Sequence, residues 1–277
     1  MTHVWPAAAM LLAMTVGGWA RAYAQAADAE GLVQQVLAEA PEEQPAAQNR
    51  LLPVAQPLAV ELAALAMNPD ADAAVRQLAF WFVGEAADAS ACARVGLPDE
   101  TDNLGLLFAA SLGIGRCGEL QPLRDLLRHA DPVLRLKAAV TLGLLMDRAA
   151  LTDIVALTDD PGLSGYRVFI DVARGLLGEP DTQPVLRALL VERTFRDHAA
   201  IALTRMGDTS VAFELGFAYR SVDPMIREAA VQAAARYRTG NAEALLEEAQ
   251  QDPSARLADW ARRALRWYSH GRLPDDL

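Results

Sequence analysis

The sequence predicts an all-α protein, an α-α superhelix (solenoid) of stacked helical hairpins, on three observations. An opening motif recurs at Asp72, Asp102, Asp131, Asp160, near Glu192, at Asp223 and at Asp252, in steps of 30, 29, 29, 32, 31 and 29 residues. Self-similarity at such a period marks a repeat architecture. Each period has room for two helices around a glycine or polar break, at Gly84, Gly115, Asp147, Gly178, Gly207 and Gly240. No run alternates apolar and polar residues with period two, so essentially no β-sheet is expected. A helical pair of this size cannot bury both apolar faces alone and must stack on its neighbours.

Residues 1–26 read as a secretory signal peptide. An apolar run from Val4 to Ala20 precedes the small-residue sites Ala22-Tyr23-Ala24 and Ala24-Gln25-Ala26, although no basic n-region stands before it. The run is interrupted by Pro6 and two glycines and spans a bilayer poorly. Cleavage is therefore expected over retention, with the periplasm as the destination in a Gram-negative cell; retention gives a membrane-tethered form. Residues 27–57 form an N-terminal cap: GLVQQVLAEA is a short amphipathic helix stopped by Pro41, and Glu42 to Pro57, with three prolines, reads as a loop. The repeats occupy residues 58–270, starting with the apolar helix Leu58 to Met67, and residues 271–277 are a tail.

Within a repeat the aspartate has the chemistry of an N-cap. In the unit from Asp131 to Asp159, Pro132 suits the first helical position and a run rich in Ala, Leu and Val follows. Four openings carry an arginine four residues on: Asp72/Arg76, Asp131/Arg135, Asp223/Arg227 and Asp252/Arg256. That arginine can pair with its own aspartate, one turn back, or with the aspartate of the next repeat. Small residues such as Ala138-Ala139 and Ala229-Ala230 let first helices approach closely, and these helices are apolar on more than one side. Second helices, among them RAALTDIVALT and SVAFELGFAYR, carry a single apolar stripe. Phe213 and Phe217, one turn apart, read as part of such a core stripe.

The pattern D-P-x-x-R-x-x-A-A-x-x-L-G in Asp131 to Gly143, with its relatives at Asp223 and Asp252, resembles the HEAT-repeat superfamily, and the short step resembles its phycobilisome-lyase-type repeats. The resemblance implies aspartate-led helices on the concave face and service as a protein-binding scaffold. It also implies an alternative, an enzyme accessory that handles a small chromophore or modifies a partner. The openings at Asp102, Asp160 and Glu192 lack the arginine, so an unbroken Asp-Arg ladder is not expected.

Composition narrows the partners. The net charge of −11 disfavours nucleic acid, which needs a basic surface. Lys137 is the single lysine against 24 arginines. Gly113-Ile114-Gly115-Arg116-Cys117-Gly118 matches G-x-G-x-x-G but follows a helix rather than a strand, so it reads as an inter-helix turn and not a dinucleotide loop. His3, His129, His198 and His270 lack metal-ligand spacing, and Ser164 in PGLSG falls short of a nucleophile elbow. No catalytic residue, metal or cofactor is therefore assigned, and the chain is expected to bind another protein without being an enzyme.

The residues singled out are those that differ between repeats. Cys92 and Cys117, in consecutive repeats, can form one disulfide in an exported protein or remain two buried thiols. Phe80-Trp81-Phe82 cannot all face one side of a helix, which leaves one ring exposed; the three read as core packing, with an anchor for a partner at Trp81 as the alternative. Trp260, Arg263 and Trp267 lie in an arginine-rich C-terminal helix, read as a capping helix or as a grip for a carboxylate-bearing partner or an anionic membrane surface. Lys137, Thr141, Glu228, Gln232 and Asp259 occupy positions that the apolar pattern does not obviously bury, and are expected to form the partner-binding surface on the concave face.

Overall fold

The fold is given by a computed structural model that describes residues 28–86, 88–99, 102–268 and 270. The expected signal peptide and tail lie outside these residues. Every regular element among them is helical. At the N-terminal end, α1 (Ala29–Leu37) is capped by Asp28, whose carboxylate accepts from Gly31 N at 2.7 Å. It packs on α2 (Gln44–Ala55) and α3 (Ala59–Met67).

The helix α2 corrects the expectation of a loop over Glu42 to Pro57. Pro45 sits in the first turn, where no backbone N–H is needed, and Pro53 falls near the end. The chain then passes through a 3-10 turn, Gln56–Leu58, into α3. The three prolines therefore mark helix ends and a bend. The run Gln44–Met67 is apolar and long enough to cross a membrane; here Leu51, Leu52, Val54 and Leu62 are buried in the same core as Phe80 and Phe82.

Long helices then alternate with short ones. The long series is α4 (Ala73–Ala86), α6 (Leu104–Arg116), α8 (Pro132–Leu144), α10 (Arg167–Leu176), α12 (Arg196–Arg205), α14 (Pro224–Tyr237) and α16 (Ala255–Tyr268). Between them lie α5 (Ala89–Cys92), α7 (Gln121–Leu126), α9 (Leu151–Ala156), α11 (Gln183–Leu189), α13 (Ala212–Ala218) and α15 (Ala242–Ala249). The long helices are buried nearly all round: seven consecutive residues of α12, Ala199 to Arg205, are buried. The short ones bury a stripe, such as Leu215 and Ala218 on α13. Phe213 and Phe217 face the other way and are 73% and 38% exposed, which corrects their assignment to the core. Val211, Leu215 and Ala218 supply the buried stripe instead, and the two rings pair edge to face 4.9 Å apart.

Five successive long helices end alike. Glu119, Asp147, Glu179, Asp208 and Thr239 each donate a backbone N–H to a carbonyl five residues back, the closing bond of a Schellman turn. The residue before each donor has positive φ. It is Gly118, Gly178 and Gly207 in three cases, Met146 and Arg238 in the others. The sequence breaks at Gly84 and Gly115 are thus displaced, since both glycines lie inside helices.

The opening motif works as a cap and a link. Asp131 and Asp223 accept from Leu134 N (3.0 Å) and Met225 N (2.8 Å), whereas Asn103, not Asp102, caps α6. The arginine four residues on pairs with the next opening aspartate: Arg135 with Asp160 at 2.9 Å, Arg227 with Asp252 at 2.8 Å. Both also donate to the turn before their own helix, Arg135 to the carbonyls of His129 and Ala130, Arg227 to those of Ser221 and Val222.

Each long helix touches the next, from α4 through α6, α8, α10, α12 and α14 to α16, and α16 returns to α4. In addition α8 reaches α14, and Arg227 on α14 donates to Asn49 Oδ1 on α2 at 3.0 Å. Helices from opposite ends of the described residues are therefore in contact.

Candidate functional site

The closing contact is ionic. Arg116, at the end of α6, forks onto Glu85 of α4 at 3.1 and 3.2 Å and pairs with Glu228 of α14 at 2.8 Å. Arg256 of α16 reaches Glu228 at 3.4 Å and donates to the Arg116 carbonyl, 140 residues away, at 2.6 Å. Two basic groups face two acidic ones; Glu85, Arg116 and Glu228 are buried and Arg256 is half-buried. Burial pushes the Glu85 carboxyl above its ordinary value despite Arg116. Burial also works against a charged Glu228, but Arg116 and Arg256 together hold its pKa below the ordinary value. In Arg116 the two carboxylates outweigh desolvation and raise the pKa. Glu228 thus belongs to a buried network, and Thr141 is buried too, which corrects their placement among unburied positions.

A polar cavity of about 550 Å³ opens beside this network. Five of the sequence-selected residues meet there: Glu228, Gln232, Asp259, Trp260 and Arg263. Their roles differ. Trp260 is buried and Glu228 is ion-paired, while Gln232 donates to Glu228 at 3.1 Å. Arg263 is exposed at the rim. Trp267, half exposed, lies further along α16 with its ring 6.2 Å from that of His270.

A second cavity, of about 470 Å³, lies among α6, α8, α10, α12 and α14, and its walls are almost wholly apolar. Four aromatic rings line it: Phe108, Tyr166, Phe169 and Phe195. Phe169 stands edge-on to Phe195 at 5.0 Å and 6.4 Å from Tyr166. Lys137 lies at this cavity with its Nζ 5.2 Å from the centre of the Phe108 ring, exposed and without an ion pair among the described residues. His198 contributes an imidazole whose Nδ1 is buried and unpartnered, and burial lowers its pKa against the pull of Asp223 and Asp197.

Protein interiors are packed with few voids larger than a water molecule, whereas ligand pockets of several hundred Å³ are mostly apolar with a few placed polar groups. This cavity is of the second kind. Sequence reasoning found Lys137 there but missed the aromatic wall. A partial signal exists: Phe108, Lys137 and His198 each lie six residues after the opening of their repeat, at Asp102, Asp131 and Glu192, whereas Phe169 lies nine after Asp160.

The remaining selections lie elsewhere. Trp81 is half-buried and packs edge-on to Phe82 at 5.0 Å, while Phe80 and Phe82 are fully buried. Cys92 and Cys117 are joined in a disulfide with their Cα atoms 5.5 Å apart, tying α5 to the end of α6. The G-x-G-x-x-G stretch serves packing. A Cβ on Gly113 would lie 2.6 Å from the Phe80 carbonyl oxygen, so α4 and α6 can meet this closely only with glycine there. No group of His, Cys, Asp or Glu able to hold a metal occurs among the described residues. No protein-family model matches the chain, and no curated protein sequence matches it either.

Proposed function

We propose that this chain is a non-enzymatic binding scaffold of short HEAT-like repeats, a solenoid curved until its last long helix, α16, meets its first, α4, and that it grips an apolar side chain on a carboxylate-bearing segment of another protein. The observation that carries this reading is the aromatic-walled cavity with Lys137 beside it. Apolar anchors seated in desolvated pockets dominate protein recognition. An unpaired lysine in a chain of net charge −11 supplies the one local attraction for a carboxylate. The repeated Schellman ends and the paired Arg135-Asp160 and Arg227-Asp252 links support the HEAT-like reading. The Cys92-Cys117 bond supports an oxidising destination such as the periplasm, consistent with a cleaved leader.

The test uses a photo-crosslinking residue in place of Tyr166, which is 46% exposed beside the cavity. The same substitution is made in a Val140→Trp/Lys137→Glu variant, which fills the cavity and reverses its charge. The parent is expected to capture a discrete protein in the native cell, and the variant to lose at least about nine-tenths of it, the effect of some 1.4 kcal/mol, with its melting temperature retained. Equal capture by a folded variant overturns the reading.

A further inference from the structure

A third cavity, of about 210 Å³, is lined by residues from the ends of α8, α10 and α12 and from the last turns of α14. Its charged lining consists of Arg148, Arg205 and Arg236, and no carboxylate lines it. In a chain with 36 acidic residues against 25 basic ones, that runs against composition.

The three arginines are not equivalent. Arg205 is buried, and its two terminal nitrogens donate to the carbonyls of Gly143 (2.8 Å), Leu144 (3.0 Å) and Leu176 (3.1 Å). These carbonyls close α8 and α10, so the negative ends of two helix dipoles offset its charge. Arg205 Nε is left without a partner. Burial lowers the guanidinium pKa to about 10, against an upward pull from Tyr237 that is larger than the repulsion from Arg236. Arg148 and Arg236 have no such offset. Both are exposed at this cavity, neither forms an ion pair among the described residues, and the one bond recorded for Arg148 is a long 3.4 Å contact to the Leu177 carbonyl. The helix-end acceptors at this wall are taken, and two guanidinium charges remain uncompensated.

We infer that this cavity binds a compact oxyanion of two negative charges, a phosphate held by the guanidinium groups of Arg148 and Arg236 over the floor made by Arg205. The charge matches the two uncompensated cations, and the small volume suits a phosphate group better than a bulky anion. Planar guanidinium forks match tetrahedral oxyanions through paired N–H donors, and the Tyr237 hydroxyl is a further donor in the lining. The site is distinct from the aromatic-walled cavity and stands or falls separately from it.

Calorimetric titration of the full chain with inorganic phosphate, at ionic strength held constant with chloride, tests the proposal. One phosphate per chain is expected to bind and to raise the melting temperature as its concentration exceeds its dissociation constant. The Arg148→Gln/Arg236→Gln variant, altered at two exposed positions, is expected to melt as wild type in chloride and to bind phosphate at least about ten-fold more weakly. Titration with glycerol 3-phosphate separates the sources: binding as tight as phosphate or tighter identifies a phosphorylated small molecule, and weaker binding identifies the free anion, both within the proposal. No heat and no melting shift beyond chloride, or unchanged affinity in the double variant, overturns it.

Discussion

His198 couples the aromatic-walled cavity to pH. Its folded pKa is lowered by burial, while an unfolded chain returns to about 6.5. As pH falls through that value the unfolded state binds the proton before the folded state does, so stability declines; above it both states are neutral and the contribution is complete. Unfolding free energy is expected to drop between about pH 7 and about pH 5 by at most about 1.4 kcal/mol per pH unit. Denaturant titrations of wild type and His198→Gln check this: the variant should lose most of the slope, and equal slopes refute the assignment. At this scale the sequence is informative where chemistry is local. Asp131 and Asp223 cap helices because the acceptor and the N–H lie two or three residues apart. Glu228 was misplaced because its partners, Arg116 and Arg256, come from other repeats, and nothing local marks the burial of a charge whose countercharge is distant.

Helix pairing rests on close backbone approach at a few small residues. On α6, Gly113 faces the Phe80 carbonyl of α4, and an added methyl must push the two helices apart. Gly113→Ala should therefore destabilise by about 1 to 3 kcal/mol, the usual effect of overpacking. Gly96→Ala is the control, because a Cβ there meets nothing within 4 Å. Urea midpoints measure both, and a Gly113→Ala midpoint equal to that of Gly96→Ala contradicts the packing role. The long helices were legible in the sequence through their period and caps. Their ends were less so, because left-handed closure falls on Met146 and Arg238 as well as on glycine. The helix α2 was hidden by prolines that mark ends rather than breaks, and Phe213 and Phe217 share helical spacing with a buried stripe without belonging to it. Spacing identifies a face but does not say which face is covered.

The return of α16 to α4 is the contact least accessible to sequence, since a period of about thirty residues bears on how each helical pair meets the next and not on whether distant pairs meet. Here α16 meets α4, and the four charges Glu85, Arg116, Glu228 and Arg256 sit at the junction. Breaking such a buried set on one side typically costs about 3 to 5 kcal/mol, because the remaining charges stay buried without partners. Glu228→Arg is the sharpest break, placing a third cation beside Arg116 and Arg256. Neighbouring helical pairs keep their own contacts, so the variant should retain helical circular dichroism while its ends separate. Small-angle scattering reads this directly. A compact chain of this length has a radius of gyration of roughly 18 to 19 Å; wild type should lie near that value and the variant clearly above it. A wild-type radius already well above it rules out closure in solution. An unchanged radius in a folded variant assigns the hold to other contacts, of which Arg227 to Asn49 is the next to remove.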